Sequence, residues 1–154
     1  MYSMDEAVVL ILKDMGYTGS NPTIEYIDSA YVTRRPGMYS SLVGDYTVDY
    51  NHIRVATKLP YEQVMDTLAH ELRHAWQWQT GVLQNTNDYY RWKGTRFYTR
   101  KKVWKRCVYE QRPQEIDARA YARYAWVRLF KGNPLVDPYR NPAKVFFFRA
   151  TYSS

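Results

Sequence analysis

The chain has a single cysteine, Cys107, so no internal disulfide can form. The same scarcity excludes cysteine-rich zinc sites and leaves histidine and carboxylates as the available ligands for a transition metal. No apolar run is long enough to span a bilayer. The first apolar run, Ala7 to Leu12, follows Asp5 and Glu6 and stops at Lys13, which is not the layout of a secretory signal. These absences lead to the expectation of a soluble, cytoplasmic protein with no membrane association. Histidine is scarce too. There are three, and two of them stand four residues apart.

Aromatic residues, by contrast, are abundant. Sixteen Tyr and five Trp supply apolar faces with polar tips, which suit half-buried surfaces and binding grooves. With 154 residues, 45% of them hydrophobic, residues 1–154 are read as one domain with a true core. The net charge of +7 favours acidic partners, or serves only to keep the surface soluble.

Punctuation along the chain gives an outline. Met4 to Met15 reads as an amphipathic helix stopped by Gly16, and Gly19 to Pro22 as a turn. Thr23 to Ser29 alternates like a strand. Arg34 to Ser41, with Pro36-Gly37, reads as a turn or mobile surface loop, and Leu42 to Thr57 as one or two further strands. A helix is expected from Pro60 to about Thr80, with Gly81 beyond its end. Val82 to Arg112 is expected to hold a loop, a β-excursion around Gly94, and a strand or helix near Val103 to Tyr109. Pro113 opens a second long helix ending near Lys131-Gly132. The run Val145 to Phe148 is read as a docked terminal strand or turn.

The chemistry-bearing segment is His70-Glu71-Leu72-Arg73-His74, an H-E-x-x-H pattern. Letters alone match by chance in on the order of one chain of this length in a few hundred, at average residue usage. The helical wheel adds information that the letters lack. At about 100° per residue, His74 lies about 40° from His70 and Glu71 about 100° from it. Val64, Leu68, Ala75, Leu72, Met65, Trp76 and Ala69 occupy the arc between about 120° and 260°. A metal face and a core face are thus separate. Two neutral imidazoles one turn apart can share a Zn²⁺ ion, and a site with an open position activates water for a neighbouring base, here Glu71.

A third ligand is needed. His52 is the only other histidine, and it stands in a strand-like segment where a structural role is expected. Gln77 and Thr80 occupy the positions where the longer H-E-x-x-H-x-x-G-x-x-H pattern requires Gly and His. Glu115 and Asp117 are the better candidates. On a helix begun by Pro113, Ala118, Ala122, Ala125, Trp126 and Leu129 all lie within about 80° of Glu115, a small-residue face suited to close packing on another helix. Asp117 lies at about 200°, beside Tyr121, Tyr124 and Arg128, toward the polar side. The plain alternative for Glu115 is an acid in a helix's first turn, favoured by the dipole.

Leu68 to Gln77, followed by Pro113-x-Glu115-Ile-Asp-Ala118, resembles small gluzincin-type zinc metallopeptidases, including minimal phage and bacterial forms. The likeness covers about Leu59 to Leu129. It implies a zincin-like fold, with zinc held by His70, His74 and a glutamate from a later helix, matched here by Glu115, and with Glu71 as general base. SprT-like proteases share the layout but usually supply a histidine as third ligand, and no histidine follows His74. Arg73 departs from the pattern, which usually has an uncharged residue there; contact with substrate or with Asp66 is expected of it.

Several other residues have two readings. Asp66 is either an acceptor that orients His70 or an exposed helix acid. Tyr109, Tyr121 and Tyr124 are possible oxyanion donors. Cys107 is read as a small buried residue. Arg91–Arg106 contains eight Lys or Arg and no acid, interleaved with aromatic residues. That segment can hold nucleic acid or an acidic peptide, or form a solvated strand pair.

The expected fold is α+β, with a small twisted sheet from the N-terminal half packed on the His70 helix and the Glu115 helix completing the site. The expected function is zinc-dependent hydrolysis of protein or peptide substrates. Two rivals remain: a basic nucleic-acid-binding module whose zinc is structural or absent, and a zincin-fold interaction protein without turnover.

Overall fold

The computed structural model describes residues 1–33, 42–85, 89–98 and 112–131. The expected turn at Arg34 to Ser41, the element near Val103 to Tyr109 with Cys107, the second half of the basic segment (99–106) and the Val145 to Phe148 run lie outside the described residues. What is described is an α+β arrangement of three helices and two small sheets. No helix among the described residues is long and apolar enough to cross a membrane.

Helix α1 spans Met4–Asp14. Ser3 and Glu6 form a reciprocal capping box at its start, satisfying two backbone donors that a helix end leaves open. Its buried stripe, Ala7 and Ile11, faces the core. Strands β1 (Thr23–Ile27), β2 (Gly44–Thr47) and β3 (His52–Ala56) form the first sheet in the order β1-β3-β2. β3 is central, parallel to β1 and antiparallel to β2. Ile53 and Val55 on β3 are fully buried and alternate with the half-buried His52 and Arg54, so one face of the sheet meets the core.

That face packs on helix α2, Tyr61–Gln79. Pro60 stands at its N-cap, and Gly81 adopts a positive φ of 79° just past its end. Only glycine takes that conformation without strain, so the helix stops where the sequence places a glycine. Val64, Met65, Leu68, Ala69, Leu72 and Ala75 are buried in one cluster with Ile53, Val55, Ala7 and Ile11, as the apolar arc of the wheel requires.

A second sheet follows, formed by β4 (Leu83–Asn85), β5 (Tyr89–Trp92) and β6 (Thr95–Tyr98), all antiparallel. The β5–β6 hairpin turns at Lys93 and Gly94, both with positive φ, which is the excursion expected around Gly94. Trp78 of α2 and Tyr90 of β5 meet edge to face at 6.2 Å. Helix α3, Pro113–Tyr124, opens on its proline and passes into a π-helical turn, Ala125–Leu129. There the Phe130 N–H donates to the Ala125 carbonyl at 3.0 Å. Tyr121, Ala122, Ala125 and Trp126 complete the core cluster.

One close approach fixes the sheet against α2. A Cβ on Gly44 would overlap the Thr67 methyl and stand 2.9 Å from the Arg54 carbonyl oxygen and 3.4 Å from Glu71 Cγ. β2 therefore lies on α2 at a separation that no side chain at residue 44 permits. Gly44→Ala is expected to lower stability by about 1–3 kcal/mol through overpacking. Adding Thr67→Ser, which removes the methyl and keeps the hydroxyl, is expected to restore part of the loss in urea denaturation. Unchanged stability in Gly44→Ala would show that the strand and helix are not this close.

Candidate metal centre

His70 and His74 stand one turn apart on α2, and Glu115 enters from the first turn of α3. Glu115 Oε2 lies 3.0 Å from His70 Nε2, and Glu115 Oε1 lies 3.0 Å from His74 Nε2. The two Nε2 atoms are 3.1 Å apart. Among the described residues, these three form a group able to hold a metal ion. A tetrahedral ion with bonds of about 2.0–2.1 Å separates its ligand atoms by about 3.3 Å; the two Nε2 atoms, and each Nε2 with its nearer Glu115 oxygen, stand within a few tenths of an ångström of that spacing. The donor set of two imidazoles and one carboxylate also suits a divalent transition ion. His74 and Glu115 are buried and His70 is partly exposed.

Of the two acids weighed as third ligand, the structure brings Glu115 to the histidines, and Glu71 is buried on the same helix. Burial pushes the Glu71 carboxyl up from its ordinary value; His70 and His74 pull it back, while Glu115 and Asp45 push it further up. Burial also lowers the His74 imidazole, but the Glu115 carboxylate outweighs it, with Glu71 and Gln77 adding to the effect, and His74 is pushed up to about 9. Glu115 moves the opposite way. Burial alone would raise it, yet the two imidazoles hold it well below the usual carboxylate range.

Two readings of the sequence are corrected. Asp117 does not face the polar side. It is 1% exposed and receives Arg73 Nε at 2.8 Å and Arg73 Nη2 at 3.2 Å. Arg73, expected at substrate or at Asp66, is itself buried, with its guanidinium 3.7 Å from the Trp76 ring centroid. The physical reason is that α3 is covered on more than one side. Glu115 and Asp117 both face α2, while Tyr121 reaches α1, so no single wheel face marks the buried surface. Opposite charge on Arg73 and Asp117 was the available signal for their pairing.

The tyrosines are corrected in the same way. The Tyr121 and Tyr124 hydroxyls donate to Asp14 of α1, each at 2.9 Å, and Tyr121 is raised further from ionisation by burial and by Asp14. They tie α3 to α1 instead of serving as oxyanion donors; Tyr109 lies outside the described residues. His52 Nε2 lies 3.1 Å from Glu25 Oε1 on the neighbouring strand, and His52 is not part of the His70, His74 and Glu115 group. Asp66 is half-buried, not exposed. Sequence reasoning passed over Gln77 except as a mismatch to the longer pattern. It is fully buried, and its Oε1 lies 2.9 Å from His74 Nδ1.

These shifts set a pH dependence for the metal-free protein. His74 has a folded pKa above its ordinary 6.5, so its contribution to stability is complete below that value and is lost as pH rises through about 9. Glu115 has a folded pKa below its ordinary 4.5, so its contribution is complete above that value and is lost on acidification. In chelator, the Tm is expected to fall between pH 6 and pH 9 by a component that His74→Gln removes. Metal uptake at pH 7 must displace the His74 proton, so apparent affinity is expected to rise toward pH 9 and the binding heat to vary with the buffer's ionisation enthalpy. A heat independent of buffer would contradict this. Compared with known proteins, the chain matches no protein-family profile, no curated protein and no solved structure.

Proposed function

We propose that this protein is a zinc-dependent metallopeptidase with a zincin-like arrangement, in which His70, His74 and Glu115 hold the ion and Glu71 is the general base. The observation that carries the proposal is the convergence of the three ligand atoms beside a buried glutamate on the same helix. Three protein ligands leave a coordination position open, as catalytic sites require and four-ligand structural sites do not.

Zinc held there supplies Lewis acidity that lowers the pKa of a coordinated water to about 7. Glu71 accepts the proton of the attacking water and delivers it to the leaving amine. Its burial favours the first transfer, because a carboxylate whose pKa is raised above its ordinary value is a stronger base toward the water proton. β2 supports a peptide substrate. Among the described residues it is an edge of its sheet, and Gly44 brings its backbone against Glu71. An edge strand offers unpaired backbone groups to an extended chain, which would then run past the base.

Glu71→Gln keeps size and removes the base. It is expected to retain about one zinc per chain and to lose roughly 10²-fold or more of hydrolytic rate on an unstructured protein such as casein. Glu115→Gln and His74→Ala are expected to lose zinc itself, with a fall in Tm relative to zinc-loaded wild type. Full activity in Glu71→Gln would end the peptidase reading, and unchanged zinc content in His74→Ala would end the metal site.

A further inference from the structure

Gln77 is a buried amide whose orientation is forced by its neighbours. Its Nε2 lies 2.9 Å from the Gln114 carbonyl oxygen and 2.8 Å from Asp117 Oδ2. Both partners only accept, since one is a carbonyl and the other a carboxylate engaged with Arg73. The NH₂ end must therefore face them, and Oε1 is left for His74 Nδ1, 2.9 Å away. An amide oxygen only accepts. His74 must then carry a proton on Nδ1, and the neutral ring presents its lone pair from Nε2. Nε2 is the atom that lies 3.0 Å from Glu115.

We propose that Gln77 is a positioning residue of the metal centre: it fixes the His74 tautomer and ring direction, and the Asp117–Arg73 pair fixes Gln77. This rests on the reading of His70, His74 and Glu115 as a metal site. Asp117 sits two residues beyond Glu115 on α3, and Gln77 one turn beyond Arg73 on α2. One buried network thus places a ligand from each helix. Arg73 cannot reverse the polarity, because a guanidinium only donates. Donation converges on Asp117: Arg73 donates to it from one side, and from the other His74 donates to Gln77, which in turn donates to Asp117. The ring of His74 has no equivalent freedom to turn over, since Gln77 would then face a carbon.

The test uses the full chain. Zinc and Co²⁺ affinities are measured against a competing chelator, and the His74 ring nitrogens are followed by ¹⁵N NMR in the zinc-loaded protein. Wild type is expected to bind one ion per chain, with Nδ1 protonated and slow to exchange. Gln77→Leu is expected to bind about 10–100-fold more weakly, the scale for losing such a partner, with an altered Co²⁺ absorption spectrum and rapid Nδ1–H exchange. Should Gln77→Leu fail to fold, the ¹⁵N assignment of the His74 ring nitrogens in zinc-loaded wild type decides the matter alone: a protonated, slowly exchanging Nδ1 supports the role. Wild-type protein that binds neither ion overturns the metal site and this proposal together. Ion-binding wild type with zinc on Nδ1, or a folded Gln77→Leu with wild-type affinity and spectrum, overturns the role of Gln77 alone.

Discussion

The buried ion pair between Arg73 and Asp117 is the constraint on which the centre depends. His74 and Glu115 stand some forty residues apart in the chain, on different helices, yet their side-chain atoms meet at 3.0 Å. Apolar packing between α2 and α3 tolerates sliding by a fraction of a turn, because Ala118 and Ala122 offer small, similar surfaces. A two-point contact between a guanidinium and a carboxylate tolerates little. Such a pair adds little net stability, since desolvation offsets most of the attraction, but leaving either charge alone costs about 3–5 kcal/mol. Its effect is to select one register of the two helices.

The electrostatics of the pocket follow from that register. Two carboxylates, Glu71 and Glu115, share a buried space with two imidazoles, and the nearby guanidinium is already paired to Asp117. Positive charge near Glu115 is thus supplied by the imidazoles in the metal-free state, which is why His74 rises and Glu115 falls. A divalent cation can replace those protons, and the same geometry serves both states.

Much of this was legible in the sequence, for identifiable reasons. The wheel of α2 separates His70, His74 and Glu71 from Leu68 and Leu72 because the helix buries one broad apolar stripe and reserves the adjoining arc for polar groups. Gly81, Pro113 and Gly94 mark boundaries because each has a backbone requirement independent of tertiary context. Asp117 and Arg73 were misplaced because a wheel knows only one buried side, whereas α3 lies against both α1 and α2. The nearness of β2 to Glu71 depends on Gly44, and a glycine in a strand says that something approaches without saying what. The amide of Gln77 was invisible because its role depends on Asp117, forty residues away.

The tie between α3 and α1 has a consequence for the order in which the molecule comes into being. Asp14 receives hydroxyls from Tyr121 and Tyr124, and Ala7 and Ile11 share one apolar cluster with Tyr121, Ala122 and Ala125. At about 5–20 residues per second, the ribosome delivers Tyr121 roughly 5–20 s after Asp14. From the completion of α2 until α3 emerges, α1, the first sheet and α2 have an apolar surface without its cover and two imidazoles without their carboxylate. The nascent chain therefore has a built-in delay. Neither its interior nor the His70, His74 and Glu115 cluster can close until the last described helix has left the tunnel, and a chain truncated before Pro113 would keep that apolar surface open.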